Sequence, residues 1–187
     1  DVMYYPFILM DQMPGNGLAD PYSEADDQPV LPWRGRITTS VAPMRDGSPD
    51  GKAAAEAEIA AFFGTATAAD FLTDPDPGEG EFTGWVAGSE GSVPNTPQVV
   101  ETPAELVEYT GTRIVSPITY SGPDEWSYRR FILHQAALCA AAGGVESFCI
   151  GSEMRGLTQI RGANNNFPAV QALIDLAAEV RLLLGPD

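Results

Sequence analysis

Apolar positions along this chain fall into two kinds of pattern. "VMYYPFILM", residues 2 to 10, is an almost unbroken apolar and aromatic run that stops at Asp11. A short run without alternation reads as a strand covered on both faces, as in parallel sheets. "VESFCI", residues 145 to 150, is a second such run and ends at Gly151. Helical spacing marks the other stretches. "DGKAAAEAEIAAFF" (50–63) predicts an Ala-rich helix capped near Asp50 and stopped by Gly64. Residues 125–142 predict a well-buried helix, apolar on most sides from Phe131 to Ala142, with a cap at Ser121 or Asp124 and a stop at Gly143-Gly144. Residues 167–184 predict another, with Pro168 in its first turn. Its expected apolar stripe is Val170, Leu173, Ile174, Ala177, Val180 and Leu184, and Gly185-Pro186 end it. A short turn or helix is expected at 154–160. The order strand, helix, strand, helix argues for parallel βα units, an α/β class, with runs 2–10 and 145–150 parallel in one sheet.

Two stretches interrupt this alternation. The Pro-, Gly- and Asp-rich segment from Asp11 to Arg36 is too long for an ordinary connection and reads as a functional or capping loop. Residues 72–112 are acidic and rich in Gly and Pro, and read as a surface insertion with short strands near 82–87. "TRIVSPITY" (112–120) is a weak strand candidate because Pro117 lies inside it.

Composition narrows the function. The 187 residues carry 26 acidic and 10 basic side chains, a formal net charge of −16, and 44% of them are hydrophobic. Such a chain has a real core and repels phosphate backbones and anionic membranes, so no nucleic-acid partner is expected. No apolar run approaches the length of a membrane span. The chain opens almost directly in an element and reads as a segment of a longer polypeptide. Cys139 and Cys149 sit in apolar settings and read as free thiols. The glycine fingerprints of nucleotide folds are missing, so no cofactor is expected. The single histidine, His134, reads as a satisfied core side chain, and "DPDPGEGE" (74–81) lacks the ligand spacing of an EF-hand, so no metal is expected either.

The candidate chemistry gathers at strand ends. Glu153 lies three residues past the second run, where a (β/α)₈ barrel builds its active face. A glycosidase needs two carboxyl groups flanking the scissile bond, one as proton donor and one as nucleophile or base. Glu153 is the candidate acid/base, expected near Asp11, with capping of the next turn or pairing with Arg34, Arg36 or Arg155 as the structural alternative. Asp11 holds the corresponding place after the first run, as a second carboxylate or a loop-initiating Asp. In "PWRGRI", Trp33 can stack on a sugar and Arg34 and Arg36 can bind carboxylates, or the arginines can pair with neighbouring acids. Arg129 and Arg130, near a helix start, each call for a carboxylate partner.

The strings "WSYRRFILHQAALCAAAGGVESFCIGSEMRGLTQIRG" and "FPAVQALIDLAAEVRLLLGP", with "QPVLPWRGRITTS" and the Ala-rich helix after it, carry a family resemblance. The chain resembles the TIM-barrel-like domain of gene transfer agent and phage tail-tip hub proteins, outside the acidic stretch at about 72–112. The resemblance implies a glycoside-hydrolase-like (β/α) barrel of TIM type, present here in part over 1–187. By similarity Glu153 matches the acid/base glutamate of retaining glycosidases, which usually have Asn before it, where this chain has Ser152. Their second glutamate comes from a later strand than any in this chain. The implied role is a structural component of a tail tip or baseplate hub, in the tail of a virion or virus-like particle made in the bacterial cytoplasm. Its implied partners are other tail or baseplate proteins and further copies of itself. The alternatives are an active retaining glycoside hydrolase cutting cell-wall or cell-surface glycan during entry, and a non-catalytic carbohydrate-binding module.

Overall fold

The first apolar run is a strand only where it meets a partner. β1 (Met3–Tyr4) pairs in parallel with β6 (Ser147–Phe148), Met3 opposite Ser147 and Tyr4 opposite Phe148. The computed structural model describes residues 2–8, 10–74, 79–87, 106–114 and 117–185. Among these, the sheet holding both runs has two strands. The expected parallel pairing is present, but coverage of both faces is not. Side chains of a strand alternate between faces. Tyr4 stacks on Phe148 and its hydroxyl donates to Gln135, on the covered face. Met3, Tyr5 and Phe7 point the other way and are 74%, 40% and 55% exposed.

The helices form where the spacing places them, with shifted ends. α1 (Ala53–Phe63) buries Ala55, Ile59 and Phe63, one face at i, i+4 spacing, and ends at Gly64 in a positive-φ conformation. Asp50 does not cap it. Its carboxylate instead accepts from the Arg161 backbone N–H and guanidinium. α2 (Tyr128–Ala141) is capped by Ser127, whose Oγ accepts from Arg130 N, and not by Ser121 or Asp124. α3 is the single turn Arg155–Thr158. α4 (Pro168–Leu184) begins at proline and ends at Gly185. Its buried stripe is Ala169, Leu176 and Val180, whereas Val170 and Ile174 are 40% and 58% exposed. The sequence carries apolar residues on more than one face of α4, so spacing alone does not fix which face turns inward.

The core is the meeting of these helices. Ile132, Leu133, Ala136 and Ala137 of α2 pack with Ile59 and Phe63 of α1, Leu176 of α4, and Leu157 and Ile160 around α3. Alanine at four of the core positions in α1, α2 and α4 lets the helix backbones approach closely. Arg129 finds its carboxylate in Glu179 of α4 at 3.4 Å, and Arg130 faces Asp124 at 3.8 Å. Both cysteines are free thiols, Cys139 buried and Cys149 partly so.

Two further strand pairs complete the description. β2 (Phe71–Thr73) runs antiparallel to β5 (Ile118–Tyr120), and β3 (Glu79–Ala87) antiparallel to β4 (Leu106–Ile114). The expected strand at 112–120 is thus split between β4 and β5, with Pro117, which has no N–H to donate, between them. The chain divides into two compact units, Asp1–Thr73 with Ile118–Asp187, and Asp74–Pro117. Within Asp74–Pro117 lie β3 and β4. Residues 75–78 of the acidic stretch 74–81, the candidate calcium loop, fall outside the described residues. The architecture is mixed α/β with small sheets, and no barrel closes among the described residues.

One acid contact ties α1 to α2 and sets a pH dependence. Glu125 accepts from the Thr65 and Ala66 backbone N–H groups and from the Thr65 and Ser127 hydroxyls. Burial alone raises its pKa, but the hydroxyl of Ser127 and the N–H groups of Ala66 and Thr65 outweigh it and hold the carboxyl at about 2. A depressed folded pKa stabilises the fold fully above the ordinary value of 4.5, and that contribution is lost as pH falls towards 2. Thermal melts of the wild type should therefore weaken steadily between these values. The Glu125→Gln variant should melt lower at neutral pH, by about 1–2 kcal/mol after allowance for solvent screening, and lose less on acidification. Parallel curves for the two proteins would show that Glu125 carries none of this dependence.

Candidate functional site

The long loop after Asp11 is a built structure. Asp20, only 4% exposed, accepts from Tyr22 N and Ser23 Oγ and forms a two-oxygen contact with Arg36. Burial tends to raise the Asp20 pKa, and the Tyr22 N–H, Ser23 hydroxyl and Arg36 guanidinium together bring it below the usual carboxylate value. Gln28, also buried, donates from Nε2 to Ala19 O and Arg36 O. The Tyr22 hydroxyl donates to Gly35 O at 2.9 Å, and its ring stacks on Trp33 at 5.4 Å. These contacts fold the loop back on itself and fix the 3-10 turn Arg34–Arg36.

That turn meets α3 backbone to backbone. A Cβ on Gly156 would lie 2.4 Å from Gly35 O and 2.7 Å from Ile37 O, so only glycine fits. A Cβ on Gly35 would in turn strike the Trp33 ring. The two distinctive strings, "PWRGRI" and "GSEMRGLT", are thus neighbours in space, which their separation in the sequence conceals.

Arg34 is the centre of the resulting group. Its side chain is 11% exposed and its Nη2 lies 2.7 Å from Glu153 Oε2. Nε donates to Ser152 O and Ser152 Oγ, each at 3.2 Å, and Nη2 to Ser152 Oγ at 3.0 Å and the Tyr5 hydroxyl at 3.1 Å. The guanidinium also covers the Phe7 ring at 4.1 Å. β1 continues into Tyr5 and Phe7, and β6 leads to Ser152 and Glu153, so the parallel pairing is what brings these partners to one guanidinium. Gly151 lets the chain pass close beside Tyr128, whose hydroxyl donates to Ile150 O at 2.7 Å. Burial of that phenol raises its pKa well above the ordinary value, so it stays a proton donor.

Glu153 stands at the strand mouth in a left-handed conformation, φ 54°, which is uncommon for a residue other than glycine or asparagine. Its side chain is 57% exposed and pairs with Arg34, not with Arg155. A general acid must present a proton to the leaving oxygen; here one carboxylate oxygen is ion-paired with the Arg34 guanidinium. Asp11 is exposed and joins neither this group nor any other hydrogen bond or ion pair among the described residues. Arg36 is taken up by Asp20, and Trp33, 42% exposed, has one face on Tyr22. The structure therefore brings Arg34 and Glu153 together and leaves Asp11, Trp33 and Arg36 in separate roles. Sequence reasoning missed Tyr5, Phe7 and Ser152 as partners of Arg34. These partners converge only through the β1–β6 pairing, which no local pattern announces. No group of three or more His, Cys, Asp or Glu side chains is placed to hold a metal among the described residues. No helix among them is long and apolar enough to cross a membrane.

Residues 126–187 match the family model described as the GTA TIM-barrel-like domain. No curated protein and no solved structure matches the chain. The matched span contains α2, β6, α3 and α4, and with them Ser152 and Glu153, whereas Arg34 comes from outside it. Over residues 126–187, the chain's resemblance to the gene transfer agent TIM-barrel-like domain is met by the family model itself.

Proposed function

We propose that the chain is a structural component of the tail tip or baseplate hub of a gene transfer agent or phage-like particle, built on a partial TIM-type barrel whose mouth glutamate serves as a fastener. The family match supports the particle context. The observation that carries the structural reading is the 2.7 Å pair between Arg34 and Glu153, with Ser152 holding the same guanidinium. The guanidinium pairs with the candidate acid/base carboxylate, and Asp11 does not join it. In this reading Glu153 pins the strand mouth to the long loop and gives a rigid surface for neighbouring tail proteins or further copies of the chain.

The test is made in particles. Those carrying Glu153→Gln should assemble and transfer DNA at close to wild-type yield, because Ser152 and Tyr5 still hold the Arg34 guanidinium. Particles that assemble normally yet fail to enter cells would favour the hydrolase reading instead.

A further inference from the structure

A second site lies on the N-terminal half of α2, and it does not depend on the role of Glu153. A cavity of about 520 Å³ is lined by Phe71, Tyr120, Trp126, Arg130, Phe131 and His134, with Ser127 at its edge. That volume and an aromatic lining with few polar groups are the usual features of a small-molecule pocket. Trp126 stands at the rim, 95% exposed.

Arg130 and His134 face this cavity with hydrogen-bonding capacity that the described residues do not use up. Arg130 is clamped between rings, its guanidinium 4.3 Å from the Tyr120 ring centre and 4.8 Å from that of Trp126. Its Nη1 donates to Glu125 O at 2.6 Å, which fixes the plane of the group. Its ion-pair partner among the described residues, Asp124, is 3.8 Å away and fully solvent-exposed. Nε and Nη2 make no hydrogen bond to the described residues. His134 makes none either, contrary to its expected role as a satisfied core side chain, although it is only partly exposed and packs beside Phe71. Burial, and behind it the Arg130 charge, lowers the His134 pKa, so at neutral pH the ring is an uncharged donor and acceptor.

We propose that this cavity binds a small planar aromatic carboxylate, its ring against the Trp126, Phe71 and Phe131 walls and its carboxylate on Arg130 and His134. A purely apolar occupant would strand the Arg130 and His134 donors away from water. A cation would face the Arg130 charge. An aromatic acid satisfies both walls and donors, and the planar guanidinium fork matches its carboxylate.

The test uses the full-length protein with indole-3-acetate as the probe, followed by calorimetry, and indole-3-acetamide as its neutral counterpart. Indole-3-acetate should bind with a Kd on the order of 0.1–1 mM, and the amide about tenfold more weakly. Trp126→Ala, which removes an exposed ring and should leave the melting temperature unchanged, should weaken binding about tenfold, as should His134→Phe. Arg130→Gln should abolish preference for the acid, and Arg181→Gln, on the exposed side of α4, should change nothing. Absence of saturable binding, equal binding of acid and amide, or undiminished binding by Trp126→Ala would each overturn the proposal.

Discussion

Replacing Gly156 with valine should destabilise the protein by about 3 kcal/mol or more, and should do so by parting α3 from the Arg34 turn. The reason is geometric. The two nearest atoms to a Cβ at this position are the backbone oxygens of Gly35 and Ile37, at 2.4 and 2.7 Å. Backbone cannot rotate out of the way as a side chain can, so the turn itself must move. Chemical denaturation should show a lower midpoint with little change in slope. Gly151→Ala is the milder comparison, since the nearest atom there is the Tyr128 hydroxyl, the end of a side chain, at 2.6 Å. Equal stability of Gly156→Val and wild type would mean that the close approach of the two strings is not as described.

Arg34→Ala should cost about 2–3 kcal/mol, whereas Glu153→Gln should cost no more than about 1 kcal/mol. The asymmetry follows from burial. Arg34 is 11% exposed and serves Ser152, Tyr5 and Phe7 as well as Glu153, so its loss leaves several groups unpaired. Glu153 is 57% exposed and water can replace its partner. Its left-handed backbone adds a further test, since Glu153→Gly removes the pair but relieves a strain of about 1 kcal/mol. That variant should melt within a few tenths of a kcal/mol of Glu153→Gln or above it. A Glu153 variant more damaging than Arg34→Ala would reverse this ordering of the group.

The elements were legible where periodicity and punctuation agree. Pro168 and Gly185 bound α4, and Gly64 ends α1, because proline and positive-φ glycine act locally. The stripe on α4 was not legible in the same way, because the inward face is chosen by α1, α2 and α3. The site divides similarly. Glu153 could be placed at a strand mouth from its position after an apolar run. Its partner could not, since Arg34, Arg36 and Arg155 are equivalent by composition. What separates them is Asp20, which engages Arg36, and the Gly35–Gly156 approach, which presents Arg34 to Ser152. His134 is the opposite case. An apolar helix face suggested a satisfied core residue, but its face opens on a cavity formed with β2 and β5, which no local pattern reveals.

The central claim, that Glu153 fastens the strand mouth and does not act as an acid, is tested most directly by glycan hydrolysis. Purified peptidoglycan and cell-surface polysaccharide would be incubated with the full-length wild-type protein and with Glu153→Gln, and released reducing ends measured. The ion-paired geometry predicts no release above background by either protein. Robust release by the wild type, reduced on the order of 10²–10⁴-fold in Glu153→Gln, would contradict it and make Glu153 a working general acid.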